Sequence, residues 1–430
     1  MNAPLSTGER LHALAAQLYP IPRSIAGPGV VETLRVLGEH APIAIGGVDS
    51  GTPLFDWTAP REWVLRGARL TGPDGRVIAD AAAHNLHVLN YSTGFRGRLP
   101  LAELREHLFS LPDRPDAVPY RTSYYREAWG FCLPHRVVES LPEGEYEVEI
   151  DAGHVDGRMS WGEAWLPGET DEQVLLSTHC CHPQMANDNL SGLVVMTALA
   201  AELAARSRRR LSYRFLFVPG TIGAIGWLAT HEAEARGIRH GLVAAGLGDG
   251  GRFHYKRTRR GDAPIDFAVP RALARIGETA VVEPFVPFGY DERQYNSPGF
   301  ALPVGSLTRT PYGRYPEYHT SDDDLDFVRP EHLERSLAAY RAVVDELEGR
   351  EVWVNRNPNC EPRLGKHDLY RAIGGDDAGR ERELALLWVL NLSDGENDLA
   401  TIAERSGLSP RAIEEARDAL AAAGLLERLG

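Results

Sequence analysis

"LLSTHCCHPQMANDNLSGLVV", residues 175–195, joins an apolar run to a stretch of helical spacing and crowds its polar atoms into the joint. His179, Cys180, Cys181, His182 and Asp188 all fall there, in a chain with only four cysteines among 430 residues. The run VLLSTHC reads as a buried strand, and SGLVVMTALAAELAARS after it reads as a helix. The rhythm continues outward: RLSYRFLFVP as strand, IGWLATHEAEARG as helix, HGLVAAGLGD as strand. Strands alternating with helices predict a mainly parallel sheet covered on both faces. Reactive groups in such sheets gather at the carboxyl ends of the strands, where this joint lies.

The flanks differ. The first forty residues read as helix, a Pro-rich turn (YPIPRSIAGPG) and a second helix. From about residue 50 the chain alternates apolar and polar positions, with a PDG turn inside FDWTAPREWVLRGARLTGPDGRVIAD. Aromatics and prolines stay dense through DRPDAVPYRTSYYREAWGFCLP, so residues 50–165 form a β-rich unit whose end is open to rejoining the main sheet. The tail from about 367 reads as three helices with SGLS as a tight turn, the outline of a winged helix. The expected units are 1–49 with 166–350, the insert 50–165, and 351–430.

Hydrophobic content of 43% and charged content of 25% are ordinary for a water-soluble globular protein. A net charge of −14 argues against nucleic acid or an anionic membrane as partner. The start, MNAPLSTGERLHALAAQL, lacks the pattern of a secretory signal, and no later run is read as membrane-spanning. Four cysteines are no disulfide framework, so a cytoplasmic protein with reduced thiols is expected. Cys132 and Cys360 read as small packed residues.

Imidazole and carboxylate together suit zinc or a similar divalent ion, which makes His182 and Asp188 candidate ligands. Asn187, Asp188 and Asn189 also resemble helix-capping residues. GLGDGG sets Asp249 just past another apolar strand, and YPEYHTSDDDLDFV sets His319 in an acidic loop able to orient an imidazole through its second nitrogen. In YDERQYNSPG, Arg293 could fork onto a substrate carboxylate and Asp291 could receive an ammonium group. Tyr124, Tyr125, Trp129 and Phe131 either wall a pocket or pack within the insert.

In this order the segments CHP, ANDN-x-SG, a strand-end Asp and YHTS-D resemble the dizinc aminopeptidases of the aminopeptidase Y and bacterial leucyl aminopeptidase type. More closely, FDWTAPREWVL, TSYYREAWGFC, CCHPQMANDNLSG, FLFVPGTIGAIGWLATHE, YDERQYNSPGFALPVGSLTR, YGRYPEYHTSDDDLDF and EPRLGKHDLY resemble the bacterial aminopeptidase-like family over nearly the whole chain. The resemblance implies an α/β fold: a three-layer zinc-aminopeptidase-like domain with a mixed, mainly parallel sheet, an inserted β-rich domain and a C-terminal winged helix-like domain. It implies one or two Zn2+ ions held by His182, Asp188, Asp249 and His319. His179 is the alternative first ligand, because an extended strand turns His179 and His182 to opposite faces.

The implied activity is a metal-dependent hydrolase cutting an amide bond beside a free amino group, in a small peptide or amino-acid conjugate. Substrate contacts fall to Asp291, Arg293 and Tyr318. Where that kind of enzyme carries a Glu-Glu pair, this chain has Gly220 and Thr221, neither able to accept a proton at neutral pH. Glu317 and Glu232 are the candidate replacement bases. Loss of hydrolysis with retained ligand binding is the alternative, and regulation through the C-terminal helices a further one. The last helix carries Glu414, Glu415 and Asp418 against Arg411 and Arg417, which points to a protein contact or homo-oligomer rather than DNA.

Overall fold

The computed structural model describes residues 4–369 and 377–429; residues 1–3, 370–376 and 430, at the ends and inside the expected units, lie outside the described residues. Eight strands form the main sheet: β1 (Ala44–Asp49), β2 (Arg158–Leu166), β3 (Gln173–His179), β4 (Ser212–Val218), β5 (Ile238–Ala244), β6 (Phe253–Lys256), β7 (Ala280–Glu283) and β8 (Val304–Thr308). Their order is β1-β2-β4-β3-β5-β8-β6-β7. The central four, β4, β3, β5 and β8, run parallel, while β1, β2 and β6 bring in antiparallel pairings. The strand at the end of the β-rich segment, β2, therefore belongs to this sheet, between β1 and β4.

Alternation along the central strands divides the interior into two cores. Val174, Leu176, Phe215 and Phe217 face the helices α1 (Thr7–Leu18), α2 (Pro28–Gly38), α3 (Ser191–Ala205), α5 (Pro264–Arg275) and α6 (Pro330–Glu348). Leu175, Leu216, Val218 and Val243 face α4 (Ile222–Thr230) and the β-rich segment. Strands buried on both faces read as unbroken apolar runs, hence LLS and FLFV. The stretch Ala186–Ala205 is long and apolar enough to cross a membrane by length and composition alone, contrary to the sequence expectation that no run is. Of its most apolar window, 72% is buried inside the protein, which explains a helix apolar all round.

The β-rich segment builds a four-stranded antiparallel sheet in the order Val77–Asp80, Glu62–Thr71, Glu145–Val155, Phe95–Pro100. Trp63, Leu70, Tyr146 and Ile150 from it pack into the second core. At the C-terminus, α7 (Asp377–Leu392), α8 (Leu399–Ser406) and α9 (Pro410–Ala422) pack with a three-stranded sheet, β10 (Asp394–Asp398), β9 (Val352–Asn355) and β11 (Leu426–Arg428). Asp398 caps α8 and is gripped by Arg271 and Arg350, which tie this unit to the rest of the chain.

Candidate metal centre

β3 ends at His179, and the chain then turns through Cys180–Pro183 before an irregular helical turn over Ala186–Leu190 leads into α3. Because the strand stops at His179, its alternation no longer governs His182. Both rings reach Asp188: His179 Nε2 lies 2.8 Å and His182 Nδ1 3.5 Å from Asp188 Oδ1. His319 Nε2 lies 3.1 Å from the other oxygen, Oδ2. The ligand atoms of His179, His182 and Asp188 all fall within 4.8 Å of one another. The two cysteines between the histidines go elsewhere, Cys180 into the first core and Cys181 into the second. Burial pushes the Cys181 thiol up to about 12, so it stays protonated at neutral pH.

The turn is held from several sides. Buried Arg23 donates to the carbonyl oxygens of His182 (2.7 Å), Pro183 (2.8 Å) and Leu18 (2.7 Å). Asp323 accepts from the backbone N–H groups of Asn187 and Asp188, the latter at 2.9 Å. The acidic loop was expected to orient an imidazole; Asp323 instead fixes the backbone that carries Asp188. Asn187 and Asn189 were candidate helix caps, yet α3 has no side-chain cap. Their amide oxygens accept from Gly248 N–H (2.8 Å) and Gly246 N–H (3.2 Å), clamping the turn to the chain just past β5. Gly246 has φ +58°, a region glycine enters without steric cost.

His319 comes from the far side, in a left-handed conformation (φ +56°) that a non-glycine residue adopts only under constraint. The constraint is the β-rich segment: His319 carbonyl accepts from Tyr120 N–H (2.8 Å), and Ser321 N–H donates to Val118 carbonyl (2.8 Å). Tyr120 then sets its ring edge-on to His182 (5.2 Å) and His319 (5.0 Å). Tyr318 stacks on His319 at 3.9 Å, and Tyr290 lies 4.0 Å from His179.

Three buried atoms in this group take no hydrogen bond from the protein: His182 Nδ1, Asp188 Oδ2 and His319 Nε2. The last two approach to 3.1 Å without the angle a hydrogen bond requires. Unpartnered buried polar atoms are costly, and two imidazoles plus a carboxylate oxygen form a donor set that fits a divalent ion. Burial pulls His182 well below the usual imidazole range, beyond what Asp188 restores, so its ring is neutral and able to donate a lone pair. For Asp188, burial acts to raise the carboxyl, but His182, His179 and His319 outweigh it and keep it ionised.

His179 differs from His182. Its Nδ1 faces the Asn189 amide nitrogen at 3.3 Å, and that amide is oriented by Thr178 Oγ1 (2.8 Å), His179 carbonyl (3.0 Å) and Gly246 N–H. With a donor facing Nδ1, the ring proton belongs on Nε2, directed at Asp188 Oδ1.

Other expected site residues are not brought to this point. Asp249 is buried beside the turn, but its oxygens are already taken by Gly251 N–H (2.7 Å), Thr310 Oγ1 (2.7 Å) and Asn187 Nδ2 (3.0 Å). Glu232 is exposed and lines a cavity of about 730 Å3 with His240 and Arg350. That cavity lies at the amino edge of β5, the wrong end of the sheet for a base, roughly 20 Å from the His179 end at about 3.3 Å per residue. Arg293 is exposed and without an ion pair among the described residues, because its short helix Glu292–Tyr295 buries Asp291, Glu292 and Tyr295 instead. Asp291 is fully buried with neither oxygen partnered, and burial raises its carboxyl well above the ordinary range. Glu317 is half-buried, and its carboxylate takes no partner among the described residues. Tyr124 reaches the wall only through Tyr120 (hydroxyls 2.8 Å apart), Trp129 stacks on His107 and Phe95, and Phe131 is core. Sequence reading named none of Tyr120, Tyr290, Arg23 and Asp323 individually; the local signals were aromatic density around 120, the YDERQYNSPG segment that Tyr290 opens and the acidic loop that holds Asp323.

Residues 12–350 match the model of a family described as "Domain of unknown function (DUF4910)", and residues 351–428 match "winged helix-turn-helix". A Clostridium acetobutylicum protein described as "Putative polysaccharide biosynthesis protein with aminopeptidase-like domain" is 44% identical over 421 residues, spanning 98% of this chain and 96% of its own. The crystal structure of a "putative peptidase" from Clostridium acetobutylicum superposes with TM-score 0.82 at 42% identity, covering 98% of this chain and 97% of that one. A zinc aminopeptidase from Bacillus subtilis is similar in fold, with TM-score 0.57 at 13% identity over 80% of this chain and 96% of that one. The architecture is thus aminopeptidase-like with a C-terminal winged helix.

Proposed function

The chain belongs to the DUF4910 family, and from that footing we propose that it is a metal-dependent hydrolase of an amide bond beside a free amino group. One observation carries the reading: His182 Nδ1, His319 Nε2 and Asp188 Oδ2 are buried and unpartnered, and both rings flank the Asp188 carboxylate at the carboxyl edge of the sheet, His182 3.5 Å from one oxygen and His319 3.1 Å from the other. His182, His319 and Asp188 would hold the ion, here proposed to be Zn2+, leaving a coordination position open. When bound, such an ion polarises a carbonyl oxygen and brings the pKa of a water to about 7.

The chain's own groups do the rest. Asn189 sets the His179 tautomer, and His179 Nε2–H holds Asp188 in place. Tyr120 and Tyr318 pack on the ring of His319, the most exposed of the three histidines with a third of its side chain accessible. Glu317, on the same loop, is the proposed acceptor of the water's proton. Of a small peptide and an amino-acid conjugate, the relative's description, which ties that protein to polysaccharide biosynthesis, favours the conjugate as substrate.

The test measures metal content of the purified full chain and its turnover of aminoacyl-anilides and aminoacyl-amino sugars. The expected result is bound divalent metal and hydrolysis that a chelator abolishes. A metal-free protein whose turnover ignores chelators would refute the proposal. Gly220 and Thr221 favour a second reading, ligand binding without hydrolysis, which predicts bound metal with no turnover of any amide tried.

A further inference from the structure

Asp188 has two oxygens, and in a carboxylate each can serve a different ion. We infer that this centre holds one divalent ion, and that His179 and Tyr290 are positioning residues that close the His179 side of Asp188 to a second. The inference rests on the metal-centre reading above and concerns the number of ions and the part His179 plays.

Two separate observations point there. The first is the state of the oxygens. Oδ2 is buried without a hydrogen bond, whereas Oδ1 already takes the His179 Nε2–H at 2.8 Å. The Asn189 amide nitrogen, whose two N–H groups go to Thr178 Oγ1 and His179 carbonyl, faces Nδ1 at 3.3 Å and offers no acceptor there, so the ring proton belongs on Nε2. For His179 to bind an ion through Nε2, its proton would move to Nδ1, where it would face the Asn189 amide nitrogen, which cannot accept it.

The second is the space beside His179. β4 runs next to β3 and ends beside His179, with His179 paired to Val218. Just beyond, Gly220 offers no side chain, and the volume a side chain there would fill is occupied by Tyr290. A Cβ built on Gly220 falls 2.5 Å from the Tyr290 hydroxyl oxygen and nearer still to its ring carbons. The ring is fixed on both sides: it packs on His179, and its hydroxyl lies 3.5 Å from Cys181 Sγ, which also accepts from Gly220 N–H at 3.3 Å. Tyr290 N–H in turn donates to Glu292, which is paired with Lys256. Near the turn, Asp249 has its oxygens on four protein donors, Asn187 Nδ2, Gly251 N–H and the N–H and hydroxyl of Thr310, and Asp323 has its oxygens on the backbone N–H groups of Asn187 and Asp188.

The experiment titrates metal-free full-length protein with Zn2+ by calorimetry, checks the stoichiometry by elemental analysis, and records the visible spectrum of the Co2+ form. One equivalent per chain is expected. Two tight equivalents would overturn the inference while leaving the metal-centre reading intact, and none would overturn that reading itself. His179→Gln keeps an N–H for Asp188 Oδ1, so it should still take one ion with an unchanged Co2+ absorption envelope, at an affinity weakened roughly 10- to 100-fold as for other ligand-orienting groups. Loss of the ion in His179→Gln as complete as in His182→Gln, or a Co2+ spectrum showing one nitrogen fewer, would make His179 a ligand and end the argument. Should His179→Gln fail to fold, the wild-type stoichiometry still decides.

Discussion

Gly220→Ala tests the packing that closes one side of the centre. The new methyl group would sit 2.5 Å from the Tyr290 hydroxyl oxygen and closer to the ring, where apolar contacts need about 3.5–4.0 Å. Tyr290 must therefore withdraw by about 1 Å or more, which disturbs its seat on His179 and Cys181. Overpacking of this kind costs about 1–3 kcal/mol. In a Tyr290→Ala background the obstacle is gone. Gly220 is not among the positive-φ glycines, so alanine there should then stabilise by about 0.4–1 kcal/mol through the unfolded chain. The same substitution thus changes sign with its neighbour, beyond the few tenths of a kcal/mol expected of independent sites. Urea unfolding of the metal-free wild type, the two single variants and the double variant measures it. Equal effects of Gly220→Ala in both backgrounds would refute the claim that Tyr290 occupies this space.

Glu317→Gln should lower kcat by roughly 10²–10⁴ while the protein still binds its ion, as elemental analysis would record; an unchanged kcat removes Glu317 as base. Asp291 is buried with its carboxyl raised, so the unfolded chain gives up that proton first and stability falls as pH rises past the ordinary carboxylate range. Asp291→Asn should gain stability relative to wild type at pH 8 and lose that advantage near pH 4 in thermal melts; a pH-independent difference would contradict this. Burial pushes the Asp398 carboxyl up, but Arg271 and Arg350 outweigh it and hold it below the ordinary range. Its contribution is therefore present at neutral pH and lost in acid. Asp398→Ala removes the cap of α8 and the carboxylate partner of buried Arg350, while Arg271 keeps Glu346 and Glu404; it should cost about 1–3 kcal/mol and speed proteolytic release of the C-terminal unit, and unchanged proteolysis would show that the unit is held by other contacts.

The architecture was legible because parallel strands covered on both faces leave long apolar runs, and LLS, FLFV and GLVAA are such runs. The same logic misjudged α3, whose uninterrupted apolar surface comes from burial between sheet and helices. The end of β3 was harder to read. Strand alternation separates His179 from His182, but it lapses where the strand stops, and only the turn at Pro183 decides where His182 goes. Asp249 was misleading for a different reason: a strand-end aspartate looks the same in sequence whether its oxygens are open or filled by Thr310 and Asn187. Glu232 lies one helix beyond β4, and the sequence does not say that this helix carries it back to the opposite sheet edge. Tyr120 and Tyr290 were invisible because each acts across a gap of many residues, on rings that no local pattern connects to them.

The left-handed turn at His319 is anchored by residues about two hundred positions earlier, Val118 and Tyr120. The β-rich excursion is therefore no detachable ornament: excise it, and a ring the centre depends on loses its mooring although every other donor survives. During synthesis the anchoring residues emerge about two hundred positions before the loop they hold. The turn at His319 can lock only once both halves of that long-range handshake have been made.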